Sequence, residues 1–235
     1  MLFRSDRQTR GRGRLDRTWE APAGAALTFS VLLRPRVAPS SWPWLPLLTG
    51  LVVADVLGAR GYTVGLKWPN DVLLAHAAGA EGAGTADRKV AGILLERVET
   101  PQGSAAVVGI GLNVRLAEAD LPVPTAGSLA LVEGVATPSR TDLLLDLVAG
   151  LRAAHDRWNA DPRGGWLRAE YTAACVTIGR RVRVDLPEGR VLEGTASGID
   201  AEGRLEVEGP HGRTAVGAGD VVHVRPAAGA DPEVG

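Results

Sequence analysis

The chain has 235 residues, 45% of them apolar and 4% aromatic, which is material for one medium core with a small appendage, hence one or two domains. A formal net charge of −1 argues against bulk attraction to nucleic acid or membrane, and no apolar run reaches the roughly 20 residues a membrane-spanning helix needs. The single cysteine, Cys175, excludes an internal disulfide and a multi-cysteine metal site, so a cytoplasmic globular protein is expected.

The charge is unevenly placed. Residues 1–19 carry arginine at 4, 7, 10, 12, 14 and 17 against aspartate at 6 and 16, a local balance of +4 that reads as an anion site or a solvated arm. Arg4 and Arg7 interrupt any apolar start, so no signal peptide is expected. Elsewhere the chain is almost free of lysine: 24 of its 26 basic residues are arginine, and the two exceptions, Lys67 and Lys89, stand beside unusual motifs. A compact ammonium differs from a planar guanidinium in what it can bind, which marks both lysines as candidates for chemistry.

In chain order, residues 26–34 (ALTFSVLLR) predict a strand ended by Pro35. Ser40 or Ser41 then caps a buried helix that runs to about Leu57, with Pro43 in its first turn. Residues 64–75 predict two strand pieces around Pro69, and 90–99 another strand. The Gly/Ala-rich stretch between them, 75–88, predicts a mobile loop. Residues 105–114 (AAVVGIGLNV) lack polar alternation and predict a central strand. After a Pro/Gly-punctuated connection, Thr141 and Asp142 cap a helix with Leu143, Leu144, Leu147, Val148 and Leu151 on one face, and a second helical piece spans about 165–174. From Val176 short strands alternate with Gly-containing turns, the texture of a small β-barrel, and the last residues read as disordered.

Four stretches carry candidate chemistry. In DRQTRGRGRLDRTW, residues 6–19, Gly11 and Gly13 let the backbone approach a ligand while Arg12, Arg14 and Arg17 offer forked donors to carboxylate or phosphate. The other reading is an Arg/Gly arm that touches RNA non-specifically. Trp19, at its end, either covers a flat ligand such as adenine or anchors the loop to the core. In KWPND, Lys67 brings a cation, Asn70 a hydrogen-bonding amide and Asp71 a carboxylate suited to Mg²⁺, held by Pro69; a bulged edge strand with a turn explains the proline and asparagine but not the charges. RKVAGILLE places Lys89 at a strand entry, either for function or as a solubilising edge residue, with Gly92 admitting a close neighbour. GIGLNV sets Asn113 at the end of the central strand after two glycines, without the third glycine of a dinucleotide fingerprint, and no Walker-type loop occurs. His76, His155, His211 and His223 lack ligand spacing and read as surface or barrel residues; Cys175 reads as a small buried filler.

Together and in this order, QTRGRGRLDRTW, KWPNDVLL, KVAGILLE and GIGLNV resemble the biotin protein ligases. The resemblance implies an α+β (α/β mixed-sheet) fold: a catalytic domain over 1–175 like that of class II aminoacyl-tRNA synthetases, a small SH3-like β-barrel over 176–226 and a disordered tail over 227–235. It implies ATP and biotin as substrates with Mg²⁺, biotinyl-5′-AMP as intermediate, and transfer to a lysine of the biotin carboxyl-carrier domain of an acyl-CoA or pyruvate carboxylase. By the same resemblance Lys89, Lys67 and Arg14 are catalytic. Gln8, Arg12, Gly13, Arg14, Arg17, Trp19, Lys89 and Gly92 bind biotin or the adenylate, Lys67, Asn70 and Asn113 bind ATP, and Asp71 helps hold Mg²⁺. A monomer or weak homodimer is expected, with no membrane partner.

The chain departs from the family pattern at its start. No room exists for a helix-turn-helix domain ahead of Met1, so no DNA binding is expected. The strand and helix that usually precede the Gln-Thr segment, with their Ser/Thr-Asn motif, also have no counterpart, from which weak biotin binding is expected. Lipoate and octanoate ligases share the fold, and an inactive or RNA-binding module is the answer from a different class.

Overall fold

The computed structural model describes residues 1–15, 17–74, 87–162, 165–186, 189–217 and 219–224. His76, the expected loop apart from Asp87 and Arg88, and the expected tail lie outside these residues.

Six strands form one sheet in the order β1-β2-β6-β5-β4-β3: β1 Leu2–Ser5, β2 Ala26–Leu33, β3 Val64–Lys67, β4 Asp71–Leu74, β5 Arg88–Thr100 and β6 Gly103–Asn113. Every pairing between these strands is antiparallel, which corrects the expected mixed sheet. Short connections decide this: β3–β4 and β5–β6 are hairpins, and a parallel pairing would need a crossover of a dozen or more residues. Among the described residues, parallel pairing occurs as isolated bridges, Leu66 to Cys175 and Lys89 to Ala126.

β1 falls where only a loop or arm was expected. It pairs in register with β2, Leu2 opposite Val31 through Ser5 opposite Thr28, so its backbone is satisfied by the neighbour while Phe3 and Arg4 stay exposed. β6 is central, as its composition predicts, but not because both faces are covered by helices. Val108, Ile110 and Leu112 are buried on one face, while Gly109 and Gly111 occupy the other, so the missing polar alternation comes from glycine.

Helices α1 (Trp44–Gly58), α2 (Arg140–Ala160) and α3 (Trp166–Ala174) build the apolar side. α1 buries residues all round, including Leu45, Leu48, Val53 and Leu57, and packs against α2, α3, β3, β4 and β5. Pro46 sits in its first turn, where an N–H has no partner four residues back. Neither Ser40 nor Ser41 caps it; both belong to a separate 3-10 turn, Pro39–Ser41, and Pro43 occupies the cap. In α2 the cap is Ser139, whose hydroxyl accepts from the Asp142 backbone N–H at 3.1 Å, so Thr141 and Asp142 already lie inside the first turn. Leu143, Leu147 and Leu151 are buried along the predicted face.

The second sheet has the order β10-β9-β8-β7-β11, from β7 (Arg181–Asp185), β8 (Val191–Ile199), β9 (Leu205–Gly209), β10 (Gly212–Val216) and β11 (Asp220–His223). It stays open among the described residues, where a closed barrel was expected. Four of the five β10 residues are exposed, which leaves that edge without an apolar face to close upon β11.

The two sheets meet at the KWPND turn. The Trp68 indole donates to the Gly203 carbonyl at 3.0 Å, the Trp44 indole to Ala201 O at 2.9 Å, and the Trp68 backbone N–H to the Thr177 hydroxyl at 3.1 Å. Gly203 has φ of +81, and a Cβ there would stand 3.0 Å from Leu47, so this turn admits glycine in both conformation and space. Trp68 is thus the element of KWPND that faces the second sheet, and its burial stabilises the junction by about 2–3 kcal/mol.

Candidate active site

The face of the first sheet opposite the helices forms a floor. One lateral row crosses five strands in register: Thr28 opposite Gly111, Gly111 opposite Gly92, Gly92 opposite Asp71, and Asp71 opposite Lys67. Two glycines in the middle of the row make a shallow trough, and the charged residues stand at one end.

Lys89 enters this row through an irregularity. Three residues before Gly92, it would point to the other face of a regular strand. The β4–β5 register shifts between Val72 and Leu73, whose partners are Ala91 and Lys89, and the bulge re-aims the side chain. Its ammonium lies 2.5 Å from Asp71 Oδ1, as an ion pair.

Residues 11–15 and 17–19 roof the floor as a tight turn. Trp19 N–H donates to Gly11 O at 2.9 Å and Gly13 N–H to Arg17 O at 2.6 Å, with Arg12 bridged to Thr18. A Cβ at Gly11 would lie 2.1 Å from the Trp19 carbonyl oxygen, so this glycine is required for the roof to form. The Trp19 ring rests on the trough: a Cβ at Gly111 would fall 2.5 Å from it, and one at Gly92 3.3 Å. Its indole nitrogen is buried without a hydrogen-bond partner.

A cavity of about 360 Å³ lies between roof and floor, lined among others by Gln8, Trp19, Lys89, Asp71 and Gly92. Each roof arginine reaches a different element. Arg12 pairs with Glu96 of β5 at 2.9 Å, Arg14 donates to Asn70 Oδ1 at 3.1 Å and to Gly219 O at 3.3 Å, and Arg17 pairs with Asp220 of β11. Burial lowers the pKa of Arg14 and of the Lys67 ammonium, and the carboxylates of Asp71 and Asp220 oppose that shift in both. Among the described residues, Arg14, Arg17, Lys67 and Lys89 converge here with Asp71 and Asp220 as the acids they face most closely, an excess of cation suited to an anionic ligand.

The structure therefore gathers Gln8, Arg12, Gly13, Arg14, Arg17, Trp19, Asn70, Asp71, Lys89 and Gly92 around one cavity. Lys67 joins them through its place opposite Asp71. Asn113 does not join them: its side chain is buried and donates to Gly127 O at 2.9 Å, bracing the loop after β6. The Asn70 amide nitrogen is likewise committed to Ile93 O at 2.9 Å, leaving its oxygen to Arg14 rather than a bidentate face to ligand.

Asp71 is the carboxylate expected to help hold Mg²⁺, an ion usually bound through one or two carboxylates together with substrate phosphates. Asp71 is held by Lys89, and no cluster of three or more His, Cys, Asp or Glu able to hold a metal occurs among the described residues. Cys175 is buried and burial pushes its thiol up, consistent with a filler.

Two acidic partners escaped the sequence reading. Glu96 closes the KVAGILLE stretch but was assigned no role, and Asp220 lies in the second sheet, 203 residues from Arg17. Nothing in local spacing marks either; the sequence GAGD, ending on Asp220, is the one faint signal for that residue.

Residues 5–113 match the biotin/lipoate A/B protein ligase family and residues 177–224 the biotin protein ligase C terminal domain. The chain is 42% identical over 227 residues to the biotin--[acetyl-CoA-carboxylase] ligase of Mycobacterium tuberculosis, covering 94% of this chain and 78% of that protein. It is 32% identical over 203 residues to the bifunctional ligase/repressor of Escherichia coli, covering 86% of this chain and spanning 59% of that protein's length. Among solved structures, the biotin protein ligase from Aquifex aeolicus in complex with biotin and ATP superposes with a TM-score of 0.76 at 26% identity, over 96% of this chain and 89% of that one. These matches cover both sheets and every motif of the site, and the chain belongs to the biotin protein ligase family.

Proposed function

We infer that this chain is an ATP-dependent biotin protein ligase. It joins biotin to ATP to give biotinyl-5′-AMP and passes biotin to a lysine of a carrier domain. The observation that carries this is the cation-rich cavity, where the Arg/Gly turn closes Arg14 and Arg17 over Lys67 and Lys89 on a glycine trough.

In the first step a biotin carboxylate oxygen attacks the α-phosphorus of ATP and the bond to pyrophosphate breaks. Negative charge builds on the phosphoryl oxygens, where Lys67, Lys89 and Arg14 are placed to stabilise it as catalytic groups. Arg12, Arg17, Gln8 and the backbone at Gly13 bind the acid and the adenylate, while Gly92 and Trp19 enclose a flat ring system. In the second step the acceptor amine attacks the acyl carbon, the bond to AMP breaks, an amide forms and one proton is released. A closed roof keeps water from the mixed anhydride between the steps. Nucleotide contacts fall to Lys67 and Asn70; the Asn113 amide nitrogen donates to Gly127 O outside the lining of the cavity.

The finer architecture belongs to the same reading: a synthetase-like catalytic domain to residue 175, then an SH3-like module. The names of the relatives favour the carrier domain of acetyl-CoA carboxylase as acceptor, with that of pyruvate carboxylase as a comparison. A monomer or weak homodimer suits a site built from one chain.

The test is biotin-dependent AMP release and labelling of an apo carrier domain in Mg-ATP, with lipoate as control. Biotin-dependent labelling is expected. Lipoate-dependent labelling alone would move the chain to the lipoate branch, and release with neither acid would reject the ligase reading.

A further inference from the structure

Lys67 ends β3, the outermost strand on its side of the first sheet, and a strap that follows α3 runs along the open edge of that strand. The Val176 N–H donates to Leu66 O at 2.9 Å, and the Thr177 hydroxyl accepts from the Trp68 N–H at 3.1 Å. These two bonds flank Lys67 on one side, while Asp71 stands opposite it on the other. The approach is close. A Cβ at Gly65 would lie 2.3 Å from Val176 Cγ1, so the strap fits against β3 only over a glycine.

Thr177 is fully buried and its hydroxyl is shared, for it also lies 3.1 Å from His223 Nε2 on β11. The other ring nitrogen, Nδ1, lies 3.3 Å from Arg180 Nη1, and Arg180 Nη2 donates to Asp87 Oδ2 at 2.8 Å. A guanidinium can only donate, so Nδ1 accepts and Nε2 carries the ring proton towards Thr177. The imidazole is thus neutral and held in one tautomer. Burial, Lys67 of β3 and Arg180 oppose a second proton on the ring, and Asp87 favours one. The path Asp87–Arg180–His223–Thr177 reaches the first sheet at two places: at Trp68, next to Lys67, and at Asp87, two residues ahead of Lys89.

We propose that His223 is a positioning residue for adenylation, which through Thr177 and Arg180 fixes, from the second sheet, the backbone that carries Lys67 and Lys89. The proposal rests on the ligase reading. Both ammonium groups have to meet the same phosphoryl group as its charge develops, and a lysine stem is flexible, so its aim depends on the backbone beneath it. A small displacement of either strand costs rate at the chemical step more than it costs binding.

The test uses the full chain and reads biotin-dependent ATP–pyrophosphate exchange over a range of biotin and ATP. Thr177→Val keeps the shape and removes the hydroxyl, and His223→Ala removes the ring. His223→Gln keeps an acceptor for Arg180 and a donor for Thr177, and Arg180→Leu changes an exposed position and spares the core. The kcat of exchange is expected to fall by about tenfold in Thr177→Val and in His223→Ala, with KM for biotin and ATP within about twofold of the wild type. Combining those two changes is expected to cost no more than either alone, because both break one path. His223→Gln recovers most of the rate, and Arg180→Leu loses about threefold, the equivalent of one hydrogen bond. Wild-type kcat in both Thr177→Val and Arg180→Leu overturns the proposal, as does an additive loss in the double variant. An equal loss in His223→Gln and His223→Ala also overturns it, by making the ring a packing element. So does a rise in KM at unchanged kcat, which would assign the path to substrate binding. Absence of exchange in the wild-type chain rejects the ligase reading itself.

Discussion

Lys89 Nζ and Asp71 Oδ1 lie 2.5 Å apart because a β-bulge, not the strand repeat, turns Lys89 onto the face that Asp71 shares. The pair sits at the charged end of the trough, where Lys67 and Arg14 also converge. Replacing Asp71 by Asn removes the counter-charge while leaving the shape. The expected result is a loss of about 1–3 kcal/mol in urea unfolding and a fall in the kcat of adenylation. An Asp71→Asn variant with wild-type exchange kinetics would place this pair outside the chemistry.

Gly111 and Trp19 test the trough. A Cβ at position 111 would come within 2.5 Å of the indole, against a ring held from below by the sheet. Gly111→Ala is therefore expected to lift Trp19 and shift its fluorescence to the red. The affinity for biotin should fall by about tenfold or more, the penalty of poor fit in a packed site. Unfolding should be nearly unaffected, since the strand pairing is retained. Calorimetry with biotin and an emission spectrum decide it.

Asp220 ties the second sheet to the roof through Arg17. The Arg17 side chain is exposed, so the pair stabilises the closed roof by no more than about 1 kcal/mol. Asp220→Asn should accordingly leave the melting temperature almost unchanged. Escape of biotinyl-5′-AMP from the enzyme should rise by up to about fivefold, the equivalent of that energy. Raising the salt concentration in the wild type should mimic the variant, as measured by a trap for free adenylate.

His223 on β11 carries a pH prediction. Burial first, then Lys67 and Arg180, pull its pKa from 6.5 to about 4, and its ring nitrogen lies 3.1 Å from the Thr177 hydroxyl. The folded state thus keeps His223 neutral where the unfolded chain binds a proton. The unfolded state binds more protons between those two values, so stability is full above pH 6.5 and declines as pH falls towards 4. Discounted for partial exposure, the decline attributable to this residue is on the order of 1–2 kcal/mol. His223→Asn should flatten that part of the profile in urea titrations between pH 7 and pH 4.5. An unchanged slope would assign the acid sensitivity to other groups.

Much of this protein is legible in its residues taken one segment at a time. The Arg/Gly turn, KWPND and the Lys89 strand announce an anion site because their residue types are costly to place without a ligand or partner, and apolar periodicity located β2, the three helices and the central strand. Gly11 and the glycines of β5 and β6 mark close approaches that only glycine allows. The tertiary structure decided what depends on register and chain path. It turned Lys89 inward through a bulge, set Gly92 opposite Gly111, buried Asn113 away from the cavity, and brought Glu96 to Arg12 across 84 residues and Asp220 to Arg17 across 203. Local propensity and side-chain period act within a few residues, whereas these contacts exist only once two sheets have been paired and docked, so no spacing along the chain could announce them.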